Sequence, residues 1–163
     1  MLHGEGGQAR AFAADVTRAD CRAMVAAVTD AWGGLHVLHN NAGIESRKDL
    51  LDTGEEEWDR IMAVDLKSML LGTQAAVPAL ARRGGGSIIC VSSVAALRGH
   101  GRTAYAAAKA GVIGFVRPIA VQLGPQGIRG DVGWGAVYLA SDEARWVTGH
   151  TLMIDGGLTL TTP

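Results

Sequence analysis

The chain has 163 residues, 48% of them hydrophobic and 19% charged, with a formal net charge of −1, enough for one domain with its own core. The balanced charge gives no electrostatic support to a nucleic-acid or membrane-surface partner, and no uninterrupted apolar run reaches the length of a membrane span. The opening residues, Met1-Leu2-His3-Gly4-Glu5-Gly6-Gly7, lack the basic and apolar regions of a signal peptide, so the expectation is a cytoplasmic protein whose Cys21 and Cys90 are buried, reduced thiols.

Residues 9–14 form a short apolar run ending at Asp15 and predict a strand. Residues 17–32 predict a helix, capped by Thr17 or Asp20 and stopped by Gly33-Gly34. Residues 35–39 alternate as a strand does, and Asn40-Asn41-Ala42-Gly43 ends it. Thr53, with Glu56 three residues on, predicts a capping box opening a long helix. Its apolar stripe is Trp58, Ile61, Met62, Leu66, Met69, Leu70, Val77 and Leu80, and Gly84-Gly85-Gly86 terminates it. Residues 87–91 are β-branched and apolar, a buried strand closed by Ser92-Ser93. A helix over 102–123 follows, with Pro118 expected to kink it. A further helix is expected over 132–141 and a last strand over 150–154, stopped by Asp155-Gly156-Gly157. Strands alternating with helices predict a parallel sheet covered on both faces.

Tyr105 and Lys109 lie four apart on a predicted helix and share one face. An ammonium beside a phenol favours the phenolate, which suits a tyrosine to general acid/base work near neutral pH. A hydroxyl from Ser92 or Ser93, at the end of a neighbouring strand, could hydrogen-bond the same substrate oxygen. Alone, the Tyr-x-x-x-Lys pair carries little weight. The ordered set carries much more: Asp15, Asn40-Asn41-Ala42-Gly43 and Ser92-Ser93 each follow a strand, and Tyr105 and Lys109 lie on the next helix.

That set resembles the short-chain dehydrogenase/reductase family, from about Gly6 to Leu158. The resemblance implies a Rossmann-like doubly wound parallel sheet, a three-layer α/β/α arrangement that is incomplete here, in a single partial domain over 1–163. It implies an NAD- or NADP-dependent oxidoreductase interconverting an alcohol and a carbonyl by hydride transfer, with a small-molecule alcohol or ketone as substrate and no metal. Tyr105 would be the acid/base. Lys109 would hold the nicotinamide ribose and favour ionisation of the tyrosine. Ser93, twelve residues before Tyr105, would polarise the carbonyl; Ser92, at thirteen, is the other choice. Asp15 and Val16 would contact the adenine ring. Asn40, Ala42 and Gly43 would line the cofactor. A homodimer or homotetramer through the two long helices is implied as well. At Asp65 the family usually carries an asparagine that supports a water-mediated proton relay to the lysine. Asp65 serves here either as a modified relay group or as an ion-pair partner.

Two family segments are missing from this sequence. Nothing matches the strand, glycine-rich turn and helix that bind the pyrophosphate. After Ile128-Arg129 the family continues into a strand, a Pro-Gly turn and a substrate loop, whereas Gly130-Asp131-Val132 is expected to join the penultimate helix directly. That reading leaves four strands of seven, with two internal slots of the sheet empty. Either the sheet closes up or the residues belong to a longer molecule, and the second is expected. The alternative function is a catalytically inactive, truncated relative that acts by helix-mediated association. Gly84-Gly85-Gly86 and Gly4-Glu5-Gly6-Gly7 are read as turns, not phosphate loops, and His100 as a solvated loop residue.

Overall fold

The computed structural model describes residues 7–18, 20–98, 101–133 and 135–154. Four parallel strands lie side by side in chain order: β1 (Val37–Asn40), β2 (Gly86–Cys90), β3 (Ile128–Gly133) and β4 (Thr151–Leu152). The register aligns Leu38 with Ile88 and Ile88 with Gly130, and Val132 pairs with Thr151. Between the strands run α1 (Asp20–Trp32), α2 (Glu55–Met62), α3 (Ser68–Arg82), α4 (Thr103–Leu123) and α5 (Ala136–Ala140). Side chains alternate across a strand, so β2 divides its residues between two faces. Ile88 and Cys90 join Leu38, Met69, Leu80, Val112 and Val116 under α3 and α4, and α1 packs on α3. Ile89 meets Leu139 and Ala144 on the other face, where the Ser87 hydroxyl donates to the Leu139 carbonyl of α5 at 3.1 Å. The result is the expected incomplete three-layer α/β/α sheet.

The order of the strands corrects two expectations. Residues 9–14 form no strand. They have no regular secondary structure and are largely exposed, and among the described residues no strand lies beside them to accept a ladder, so their apolar character alone cannot hold them in the sheet. Residues 132–141 are not one helix. The chain from Ile128 to Gly133 is a strand, and helix resumes only at Ala136. The slot between β2 and β4, expected empty, is filled. Two physical facts favour this. Glycine at 130 and 133 weakens a helix, and Gly130 lets β3 approach α4 so closely that a Cβ there would lie 3.3 Å from Ile119.

The long helix from Thr53 also differs in detail. Its N-cap is Gly54, with no side-chain cap bond, because the Thr53 hydroxyl donates to the Asp49 carbonyl at 2.7 Å and closes the preceding 3₁₀ turn, Leu50–Asp52. Between α2 and α3 the backbone makes a π turn over Ala63–Lys67. The predicted stripe is really two. Met69 and Leu80 are fully buried against the sheet, and Ile61 is fully buried against Ala104 and Ala108 of α4. Met62, Leu66 and Leu70 face outward and line an apolar groove of about 640 Å³ shared with Gly111 and Phe115 of α4. Helix α4 runs unbroken through Pro118. Its apolarity is spent on burial, with Ala104, Ala108, Val112, Val116, Ile119 and Ala120 turned inward. Gly84-Gly85-Gly86 is a turn as expected, with φ of +85° and +130° at the first two. A side chain on Gly85 would strike the Gly127 carbonyl, so glycine is required there. Cys21 and Cys90 are buried free thiols. Gly4, Glu5, Gly6, His100 and Asp155-Gly156-Gly157 lie outside the described residues.

Candidate active site

The carboxyl ends of β1 and β2 deliver their following residues to one place, where open α/β sheets bind ligands. β1 ends at Asn40. Its backbone carbonyl accepts from the Val91 amide at 3.0 Å, and its side-chain amide donates to the Cys90 sulfur at 3.6 Å. Asn40 also packs on Gly72 of α3, where a Cβ would lie 2.7 Å from the Asn40 Oδ1. The asparagine thus ties the sheet to α3. Ala42 and Gly43 follow on an exposed turn.

β2 ends in the two serines, and the structure separates their roles. Ser92 is buried, and its hydroxyl donates to the Lys109 carbonyl at 2.7 Å. It fastens α4 to the strand end. Ser93 is half-buried and caps the short 3₁₀ turn Val94–Ala96, its Oγ accepting from the Ala95 amide at 3.2 Å. That bond uses a lone pair of Ser93 and leaves its O–H free to donate.

The first turns of α4 carry Tyr105, half-buried, and Lys109, whose side chain is 4% exposed. The ammonium sits 5.6 Å from the Tyr105 ring centroid. It donates to the Val91 carbonyl at 3.2 Å and faces the Asp65 Oδ2 at 3.3 Å. Of its three N–H donors the Val91 carbonyl takes one. Asp65 itself is fully buried in the π turn. Its Oδ1 accepts from the Ile44 amide at 2.8 Å, whereas its Oδ2 has no hydrogen-bond partner and faces the ammonium as an ion pair only. Of the two roles left open for Asp65, the ion-pair partner is the one the structure contains. Gly43 closes over the pair. A Cβ on it would lie 3.1 Å from Asp65 Oδ2 and 3.2 Å from Lys109 Nζ. π turns inserted in α-helices often mark functional positions, and this one aims a carboxylate at the lysine.

Ser93, Tyr105, Lys109 and Gly43 are therefore brought to one end of the sheet, with Asn40 beneath them. Asp15 and Val16 are not part of this cluster. Asp15 is exposed and its bonds are local. Its carboxylate accepts from the Thr17 hydroxyl at 2.7 Å and the Thr17 amide at 2.9 Å, and these bonds hold it below the usual aspartate range. Val16 lies in the same turn, its carbonyl facing the Cys21 thiol at 3.8 Å. The anchoring groups Ile44 and Val91 act through backbone atoms, and nothing in their side chains signals such a role.

The arrangement fits one end of a nicotinamide dinucleotide. Gly43 leaves a cradle above the ammonium, and Lys109 keeps N–H donors beyond the one given to Val91 for a ribose hydroxyl. The described residues contain no strand, glycine-rich turn and helix ahead of α1 to hold the diphosphate.

Comparison with known proteins gives the class. Residues 1–132 match the model of the short chain dehydrogenase family, and the chain belongs to that family. It is 41% identical over 170 residues to trans-4-hydroxycyclohexanecarboxylate dehydrogenase of Sinomonas cyclohexanicum, covering 84% of this chain and 65% of that protein. It is 33% identical to the 3-oxoacyl-(acyl-carrier-protein) reductase FabG of Thermotoga maritima over 193 aligned positions, which cover 94% of this chain and 78% of that protein. That alignment is longer than the 163 residues of the chain, so the relative carries internal residues with no counterpart here. A crystal structure of a Burkholderia xenovorans protein described as a short-chain dehydrogenase/reductase superposes with a TM-score of 0.92 at 26% identity, over 98% of this chain and 78% of that one.

Proposed function

We propose that the protein is an NAD- or NADP-dependent oxidoreductase that interconverts an alcohol and a ketone, with Tyr105 as the general acid/base. The observation that carries this reading is the buried, ion-paired Lys109 one turn beyond Tyr105, its ammonium 5.6 Å from the ring, at the strand end where Ser93 keeps a free hydroxyl proton. The bound nicotinamide would supply or accept the hydride.

The chain's own residues handle the oxygen. In reduction, the Tyr105 hydroxyl gives its proton to the carbonyl oxygen as that oxygen gains negative charge. The Ser93 hydroxyl donates a hydrogen bond to the same oxygen, an interaction that strengthens as charge develops. In oxidation, the tyrosine takes the proton back. Lys109 keeps N–H donors for the ribose. Ser92 fixes the height of α4 against β2 through the Lys109 carbonyl. Asn40, Ala42 and Gly43 line the cofactor, and Asp15 and Val16 flank the adenine. The substrate is a small-molecule alcohol or ketone, and the site is cytoplasmic and metal-free.

Replacing Tyr105 with Phe removes one hydroxyl and tests the assignment. Turnover of NADH- or NADPH-linked carbonyl reduction should fall by at least ~100-fold with the melting temperature unchanged. Retention of most of the activity would refute it.

A second reading draws on the outward apolar groove of Met62, Leu66, Leu70 and Phe115. The family pairs subunits through these two helices, so a chain without turnover would still associate as a homodimer or homotetramer. Sedimentation together with cofactor titration separates the two: association without binding of either cofactor favours the second.

A further inference from the structure

Lys109 and Asp65 place one positive and one negative charge 3.3 Å apart, with side chains 4% and 0% exposed. Charges this deep are screened far less by salt and water than surface pairs. The pair lies directly under the Gly43 cradle and beside the Tyr105 ring. Any ring that exchanges hydride with a carbon whose oxygen touches Tyr105 must therefore sit within the field of both charges. The oxidised nicotinamide ring carries a positive charge and the reduced ring carries none. A lone buried lysine repels the first and is indifferent to the second. A lysine cancelled by a carboxylate does neither.

We infer that Asp65 is a positioning residue that sets the balance between the two cofactor forms, strengthening binding of the oxidised one relative to the reduced one. The inference rests on the cofactor-dependent reading proposed above. Its size follows from Coulomb's law. One unit charge at roughly 10 Å, in the effective dielectric of a protein site, changes relative affinity on the order of tenfold.

The test is calorimetric titration of the 163-residue chain with NAD+ and NADH, and in parallel with NADP+ and NADPH. It compares wild type, Asp65→Asn, Lys109→Gln and the double variant, each checked by circular dichroism. The quantity read is the ratio of the two dissociation constants. Asp65→Asn should weaken the oxidised form about tenfold relative to the reduced form. Lys109→Gln should move the ratio the other way, and the double variant should return it to near the wild-type value. A purely structural role would loosen both forms alike and leave the ratio fixed. An unchanged ratio in the single variants overturns the inference while leaving the oxidoreductase reading intact. Failure of wild type to bind any of the four cofactors overturns that reading, and the inference with it. Should Asp65→Asn not fold, the opposite swing in Lys109→Gln decides.

Discussion

Asp131 sits in the middle of β3, fully buried, with hydrogen-bond partners for neither carboxylate oxygen. It shares a sheet face with Arg129, two residues earlier, but that guanidinium is turned away to the carbonyls of Leu139 and Ser141. Burial pushes the Asp131 carboxyl from 3.8 up to about 6, opposed by the His150 amide and by the charges of Arg129 and His150. A carboxyl raised in the folded state favours folding fully below its unfolded value, and that contribution is lost as pH rises through about 6. Each tenfold in proton affinity is worth about 1.4 kcal/mol. The ionised carboxylate therefore costs the fold about 1–3 kcal/mol above pH 7. Asp131→Asn keeps the shape and removes the charge. It should stabilise the protein by that amount at pH 8, or by ~3–9 °C in Tm, and the gain should vanish below pH 4. Thermal and urea unfolding at pH 4, 6 and 8 provide the measurement. A variant less stable than wild type at pH 8, or a difference independent of pH, would show that the buried charge is not the source.

The two serines should separate cleanly. Ser92→Ala removes the bond to the Lys109 carbonyl and should cost about 1–2 kcal/mol in urea unfolding, whereas Ser93→Ala should leave stability within about 0.5 kcal/mol and lower turnover by at least tenfold. Gly43→Ala pushes a methyl against Asp65 and Lys109. It should destabilise by about 1–3 kcal/mol and weaken NADH binding measured by fluorescence; wild-type values for both would mean that the turn is not a cradle. The Cys90 thiol, pushed up to about 11 mainly by burial, should resist iodoacetamide at pH 8 in the native state and react once the chain is unfolded in urea.

The site was legible because its chemistry is local. Tyr105 and Lys109 are one helical turn apart, and Ser92, Ser93 and Asn40 stand where apolar strands stop. Which serine is bound to the Lys109 carbonyl was not legible, since that bond spans seventeen residues of chain. β3 was hidden for a similar reason. Gly130, Asp131 and Gly133 look nothing like a strand, and only the room between β2 and β4, with Ile119 of α4 alongside, makes that backbone extended. The apolar run at 9–14 erred the other way: its residue types suit a strand, but a strand exists only where a neighbour accepts its hydrogen bonds. Asp65 stood out only as the acid where the family usually carries an asparagine, and its ion-pair partner lies forty-four residues away, with its direction set by a π turn that residue types do not announce.

The π turn over Ala63–Lys67 also governs what this helix can tolerate over evolutionary change. A π turn holds one residue more than an α turn, and each residue of a helix advances it by about 100°. Deleting a single residue there would restore ordinary winding and carry everything on its C-terminal side round by that angle. Gly72, which accommodates Asn40, would turn off the sheet, and Leu66 and Leu70 would leave the outer groove. The extra residue thus works as a phase setting between two halves of one rod. Its length is therefore not open to drift: a loss of one residue would uncouple the Lys109–Asp65 pair from the outer apolar groove in a single step.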